Sequence, residues 1–267
     1  MSREPLSITS RDNPLLKDLR RLTQDSSAYR KLGRFWVEGD HLGRAALLRG
    51  WQPRIAAFAQ SAWTGASQDL KEWAHGADKT VVLPEAVFDS ISGLESPARM
   101  GFVFDLPTAT EVLPGRPTVV LDRVQDAGNV GSILRSAAAF GFRQVLALSG
   151  TAALWGPKVL RAGMGAHFGL HLVEGMGPAE LDALGVPLVV TSSHEGALIQ
   201  HQRLPWPCAW ALGHEGQGVS ATLQTRAALA VRIGQPGGEE SLNVAAAAAI
   251  CLHASTLSRA DNVIQSS

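Results

Sequence analysis

Beyond residue 117, five short apolar runs alternate with helix-like segments, and this alternation limits the fold more than any other feature. The runs are Thr118–Asp122, Gln144–Leu148, Pro187–Thr191, Cys208–Leu212 and Leu229–Ile233. They are apolar almost throughout, not at every second residue, which is the pattern of strands buried on both faces. Val130–Phe140, Pro178–Leu184, Val219–Arg226 and Leu242–Leu257 read as helices. The expectation is an α/β domain with a mostly parallel sheet covered on both sides. Ligands bind such sheets beyond the carboxyl ends of the strands.

Upstream lies a smaller alternating α/β unit. Leu15, Leu16, Leu19 and Leu22 have helical spacing, Asp12 or Asn13 can cap, and Pro14 suits a first turn. Arg34–Gly39, Ile55–Ala59, Thr80–Pro84 and Met100–Leu106 read as strands, with helices at His41–Gly50, Ser67–Gly76 and Pro84–Ser92. Residues 107–117 hold three prolines without periodicity and read as a linker. The expected division is 1–106, linker 107–117, and 118–267.

Charge is balanced over the chain, 24 basic against 24 acidic residues, which excludes a polycation that wraps nucleic acid along its length. It is uneven locally. Residues 1–60 carry 11 Lys/Arg and 6 Asp/Glu, a segment that suits phosphates or a solvated helix face. Cys208 and Cys251 form no C-x-x-C motif, so neither a disulfide framework nor a structural zinc is expected. His167 and His171 sit in an apolar run without a third ligand and read as core or strand histidines; no metal is expected. The N-terminus shows no apolar signal region, and Ser241–Ser258 is too polar to span a membrane. A cytoplasmic chain with no membrane partner is expected. Four of the seven tryptophans fall within residues 36–73 and read as core in preference to base-stacking platforms. A nucleophile elbow G-x-S-x-G is absent.

Three segments carry chemistry. In Leu121–Gly141 a strand runs into a helix on which Gly128, Gly131 and Arg135 share one face, with Asn129 near the start. This suits an anion at a helix N-terminus under a guanidinium. The segment lacks G-x-G-x-x-G, and its G-N-V-G is only a weak match to a KH loop. In Ala211–Ser220, Gly213, Gly216 and Gly218 surround Glu215, which can accept hydrogen bonds or pair with Arg135. In Arg232–Leu252 a Gly/Pro loop leads to Ser241, a plausible N-cap, and then to Asn243 at the start of an alanine-rich helix.

In their order, N-x-G-x-x-x-R (Asn129–Arg135), L-G-x-E-G-x-G (Leu212–Gly218) and E-S-L-N-V (Glu240–Val244) resemble the SpoU/TrmH family of RNA ribose 2′-O-methyltransferases, of the SPOUT class. The stretch ITSRDNPLLKDLRRL with Phe35–Gly39 is similar to that family's small substrate-binding domain. The resemblance implies a C-terminal trefoil knot with bent S-adenosylmethionine against its loops. It also implies a homodimer with active sites at the interface, and an RNA substrate. Ribosomal RNA is the expected target; transfer RNA, or a non-catalytic RNA-binding role, is the alternative. The implied catalytic residues are Asn129, Arg135, Glu215, Ser241 and Asn243. Leu212, Gly213, Gly218, Ile233 and Leu242 would hold the cofactor. One departure is Gly234-Gln235, where the family has a Pro-Met-like pair. Arg135 is viewed in the family as activating the hydroxyl. A guanidinium is a poor base, and a phosphate clamp suits its chemistry better.

Overall fold

The computed structural model describes residues 4–108, 110–192, 196–237 and 241–264, with side chains described up to residue 257. Of the expected site segments, Gly238, Glu239 and Glu240 lie outside these residues. The chain divides into two compact units. One is Met1–Thr108 with Trp155–Phe168, and the other is Ala109–Leu154 with Gly169–Ser267.

The first unit holds strands β1 (Leu6–Ser7), β2 (Arg34–Glu38), β3 (Ile55–Ala59), β4 (Lys79–Leu83) and β5 (Met100–Asp105). They form one mixed sheet in the order β1-β4-β3-β5-β2. Helices α1 (Pro14–Gln24), α2 (Ala28–Leu32), α3 (Asp40–Leu47), α4 (Gln60–Gly65), α5 (Gln68–His75) and α6 (Glu85–Asp89) belong to this unit. Helix α1 starts as its sequence directs: Asn13 caps it by accepting the Leu15 N–H at 2.9 Å, and Pro14 fills the first turn. Leu16, Leu19 and Leu22 are buried.

Aromatic rings fill much of this core. Trp36 and Trp73 are buried. The Trp36 ring covers Gly101 of β5 so closely that a Cβ there would lie 2.0 Å from it. The segment Trp155–Phe168, which includes α8 (Pro157–Gly163), adds to the same cluster. Phe35 and Trp155 have ring centroids 4.5 Å apart, and Trp51 donates its indole N–H to the Phe168 carbonyl at 3.1 Å.

Part of the basic charge of residues 1–60 is paired inside this unit. Arg54 bonds Asp105 and Asp78, Arg44 bonds Asp40 and Asp69, and Arg34 lies 3.5 Å from Asp105. Lys17, Arg21 and Lys31 are exposed and form no salt bridge among the described residues.

The second unit holds β6 (Thr118–Asp122), α7 (Ala127–Ala139), β7 (Gln144–Leu148), β8 (His171–Met176), β9 (Leu188–Thr191), β10 (Ala197–Leu198), β11 (Ala209–Gly213), α9 (Ala221–Arg226), β12 (Leu229–Arg232) and α10 (Val244–Ile264). Its seven strands make one sheet, β10-β12-β9-β11-β6-β7-β8, in which every pairing is parallel. Strands β6, β7 and β11 are buried at every residue, as their nearly continuous apolar runs require. The chain leaves β6 toward β7 on one side, while β11 arrives on the other side in register Leu212↔Leu121 and Gly213↔Asp122. Adjacent strands whose connections run to opposite sides open a crevice at their carboxyl ends.

Several expectations shift. Pro178–Leu184 is a 3-10 helix. The last helix starts at Val244, not Leu242. Strand β8 escapes the apolar-run criterion because HLVEGM carries Glu174 and a left-handed Gly175 (φ 74°). His171 does lie in a strand, and His167 is buried. Both cysteines are buried, and burial pushes Cys208 to about 11 and Cys251 to about 12, outside the range of reactive thiols. Helix α10 is tied to β11 through Ser255, which accepts the Trp210 indole N–H at 2.9 Å. Among the described residues no helix is long and apolar enough to cross a membrane.

Candidate active site

The crevice is built from three loops. The first follows β6. Asp122 ends that strand buried, and its carboxylate accepts the Ser220 N–H at 2.6 Å and the Arg123 Nε–H at 3.1 Å. Arg123 holds a left-handed backbone (φ 61°), a strained state for a side chain of this size. Its guanidinium reaches Gln217 Oε1 at 3.0 Å, a side-chain link between the loops after β6 and β11.

The second loop follows β11. Gly213 passes so close to Gly218 and Val219 that a Cβ would lie 2.1 Å from their backbone atoms. Only glycine fits there, and it leaves peptide groups bare at the strand end. His214 and Gly218 close the turn by exchanging N–H···O bonds of 3.1 and 2.8 Å. Glu215 projects from this turn to the start of α7. It accepts the N–H groups of Asp126 (3.0 Å) and Gln125 (3.2 Å) and the amide Nδ2 of Asn129 (3.2 Å). Partial burial pushes its pKa up, but the donated hydrogen bonds outweigh this and hold the carboxyl at about 2. It is ionised throughout the neutral range.

The third loop precedes α10. Asn243 is the cap of that helix: its Oδ1 accepts the N–H groups of Ala245 (2.9 Å) and Ala246 (3.3 Å). Its Nδ2 donates to Asn129 Oδ1 at 2.9 Å. The orientation of every amide is forced. An ionised carboxylate only accepts, so Asn129 must turn Nδ2 toward Glu215 and Oδ1 toward Asn243. Asn243 then has its nitrogen facing Asn129 and its oxygen free to cap. A line of polarity runs from Glu215 through both asparagines to the α10 N-terminus.

Asn129, Glu215 and Asn243 are thus brought into direct contact, with Leu212, Gly213 and Gly218 on the strand and turn that carry Glu215. Two expected relations differ. Glu215 does not pair with Arg135. The α7 N-terminus holds protein carboxylates in place of an external anion, with Asp126 as the N-cap on the Asn129 N–H (2.7 Å) and Glu215 just before it. Arg135 lies farther along α7, exposed and without a side-chain partner among the described residues. Ser241 is not the cap. It is exposed and precedes the helix by three residues, because Asn243 has taken the position. Ile233 is half-buried and Leu242 is 41% exposed. Gln235, at the Gly234-Gln235 departure, has a buried Oε1 with no hydrogen-bond partner among the described residues. Sequence reading passed over Asp122, Arg123, Asp126 and Gln217. Only Asp126 carried a signal, an acidic residue three before Asn129 at a strand-to-helix junction.

Residues 116–253 match the model of the SpoU rRNA methylase family, slightly more than half of the chain. The chain belongs to this family. As a SpoU methylase it is an RNA methyltransferase enzyme. It is 32% identical to the 23S rRNA (guanosine(2553)-2′-O)-methyltransferase RlmP of Bacillus subtilis, with 92% of this chain and 97% of the relative covered. It is 27% identical to the 23S rRNA (uridine(2479)-2′-O)-methyltransferase of Streptomyces viridochromogenes, covering 92% of this chain and 90% of that one. Among solved structures it is similar to the AdoMet-bound rRNA methyltransferase of Sinorhizobium meliloti, with a TM-score of 0.79, 27% identity, and 93% and 96% coverage. The SpoU likeness therefore extends over both units, beyond the matched 116–253.

Proposed function

We propose that the protein is an S-adenosylmethionine-dependent ribose 2′-O-methyltransferase of ribosomal RNA, cytoplasmic, knotted and homodimeric as the family likeness implies. One observation carries the reading: the Glu215–Asn129–Asn243 line stands at the carboxyl ends of β6 and β11, where three distant segments converge. The names of its long-range relatives favour ribosomal over transfer RNA.

The residues at hand fit the cofactor. Bare backbone at Gly213, apolar surface at Ile233 and exposed Leu242, and the unpartnered Gln235 acceptor suit a nucleoside with N–H donors. Leu212, Gly213, Gly218, Ile233 and Leu242 would hold it. When bound, it supplies an electrophilic methyl group on a sulfonium. The protein must orient a ribose hydroxyl and manage its proton, and positioning contributes most of the gain. Glu215, fixed in its ionised form by three donors, holds Asn129 and the start of α7 in place. Arg135, exposed and unpaired, clamps a phosphate of the RNA. Ser241 and Asn243 line the third loop, and Lys17, Arg21 and Lys31 of the first unit meet RNA phosphates.

Calorimetry with S-adenosylhomocysteine in the absence of added metal, together with mapping of 2′-O-methyls on ribosomal RNA incubated with enzyme and cofactor, tests the proposal. Cofactor binding and a new methyl on a single ribose are expected. Failure to bind the cofactor, or methylation of transfer RNA alone, would overturn it.

A further inference from the structure

We propose that His214 is a positioning residue for Glu215. Its neutral imidazole, with the proton on Nε2, folds the turn that aims the carboxylate at Asn129. The inference rests on the methyltransferase reading for what that aim serves.

His214 Nδ1 accepts the N–H groups of Gly216 at 2.9 Å and Gln217 at 3.3 Å. A peptide N–H cannot exchange roles, so Nδ1 must present its lone pair, and the ring proton must sit on Nε2. The ring therefore grips the two residues that directly follow Glu215. The ends of the same turn are closed by backbone bonds between His214 and Gly218, which do not need the ring. The ring shapes the tip of the turn, where Glu215 makes its three bonds and Gln217 receives Arg123.

The same pattern occurs elsewhere in this site. Asn243 Oδ1 takes the N–H groups two and three residues ahead, also at 2.9 and 3.3 Å. An asparagine at position 214 can thus reproduce the acceptor without the capacity to ionise.

The test is methyl transfer to ribosomal RNA at neutral pH. Parent, His214→Asn and His214→Leu are compared, with cofactor affinity measured alongside. Cofactor affinity holds in all three. His214→Asn, which restores the acceptor, keeps the parental kcat. His214→Leu loses about tenfold in kcat, the factor that corresponds to roughly one hydrogen bond. A loss of kcat in His214→Asn equal to that in His214→Leu, or parental kcat in His214→Leu, overturns the proposal. Nitrogen-15 spectra of the histidine-labelled parent decide the tautomer without any variant: a proton on Nδ1 at neutral pH also overturns it. A parent that neither binds cofactor nor methylates RNA defeats the functional reading instead, and the spectra still decide the state of the ring.

Discussion

Arg135 and Glu215 look alike in the sequence, as charged residues of glycine-bearing motifs, yet the structure gives them opposite surroundings. Glu215 is surrounded by donors and Arg135 by solvent. For Arg135 the expected outcome is that Arg135→Ala retains cofactor binding and loses methyl transfer. Arg135→Lys keeps the charge without the planar fork and should retain part of the activity, with the defect mostly in KM for RNA. A charge-assisted bond of roughly 1.5–3 kcal/mol sets the Ala effect at about ten- to a hundredfold or more. Steady-state kinetics on the native RNA check this, and near-parental turnover by Arg135→Ala would return the residue to the ordinary surface. For Glu215 the carboxyl falls from an ordinary 4.5 to about 2. A depressed carboxyl adds stability above its unfolded pKa and loses it as pH falls through the folded one. Glu215→Gln should therefore destabilise at pH 7 by about 1 kcal/mol after discount for its exposure. Thermal melts of the two proteins should converge between about pH 4.5 and 2; a gap that stays constant to pH 2 would contradict the assignment.

At the scale of elements, the start of α10 is where the fold and the site share one residue. Asn243 both caps the helix and passes its Nδ2 to Asn129. The two roles separate by mutation. Asn243→Asp keeps the capping oxygen but faces the Asn129 carbonyl with an acceptor, so its melting temperature should stay near the parent while methyl transfer falls. Asn243→Ala loses both, with about 1 kcal/mol of stability. Ser241→Ala should leave stability within about 0.5 kcal/mol, since the residue is exposed and caps nothing. Thermal melts paired with initial rates on each variant check the set. A larger stability loss in Ser241→Ala than in Asn243→Ala would restore Ser241 as the cap.

On the scale of the whole molecule, the first unit is not one stretch of chain. Trp155–Phe168 belongs to its aromatic cluster, so removal of residues 1–106 would uncover Trp155 and Phe168 and test folding in place of RNA affinity. Charge reversal tests it cleanly. Lys17, Arg21 and Lys31 are exposed and outside the Arg–Asp pairs made by Arg34, Arg44 and Arg54. Reversing these three should weaken RNA binding and reduce the slope of log affinity against log salt by about two to three. Cofactor affinity should not change. An unchanged salt slope would place the RNA contacts elsewhere.

The sequence by itself determined the parallel sheet, because β6, β7 and β11 are apolar almost throughout and such strands can exist only between two covering layers. It also marked the three loops, since glycine, Asn129, Glu215 and Asn243 are costly choices at strand ends and helix starts unless the backbone or a ligand needs them. It did not determine which partners those residues take. Glu215 lies 86 residues from Asn129, and Asn129 lies 114 from Asn243. Nothing local distinguishes a carboxylate that faces an arginine from one that faces backbone N–H groups. That choice was made when β11 paired with β6 and set the turn 214–218 against the first turn of α7. The membership of Trp155–Phe168 in the first unit has the same origin. Helix periodicity records which side of a segment is apolar, and only the tertiary structure decides which apolar surface it meets.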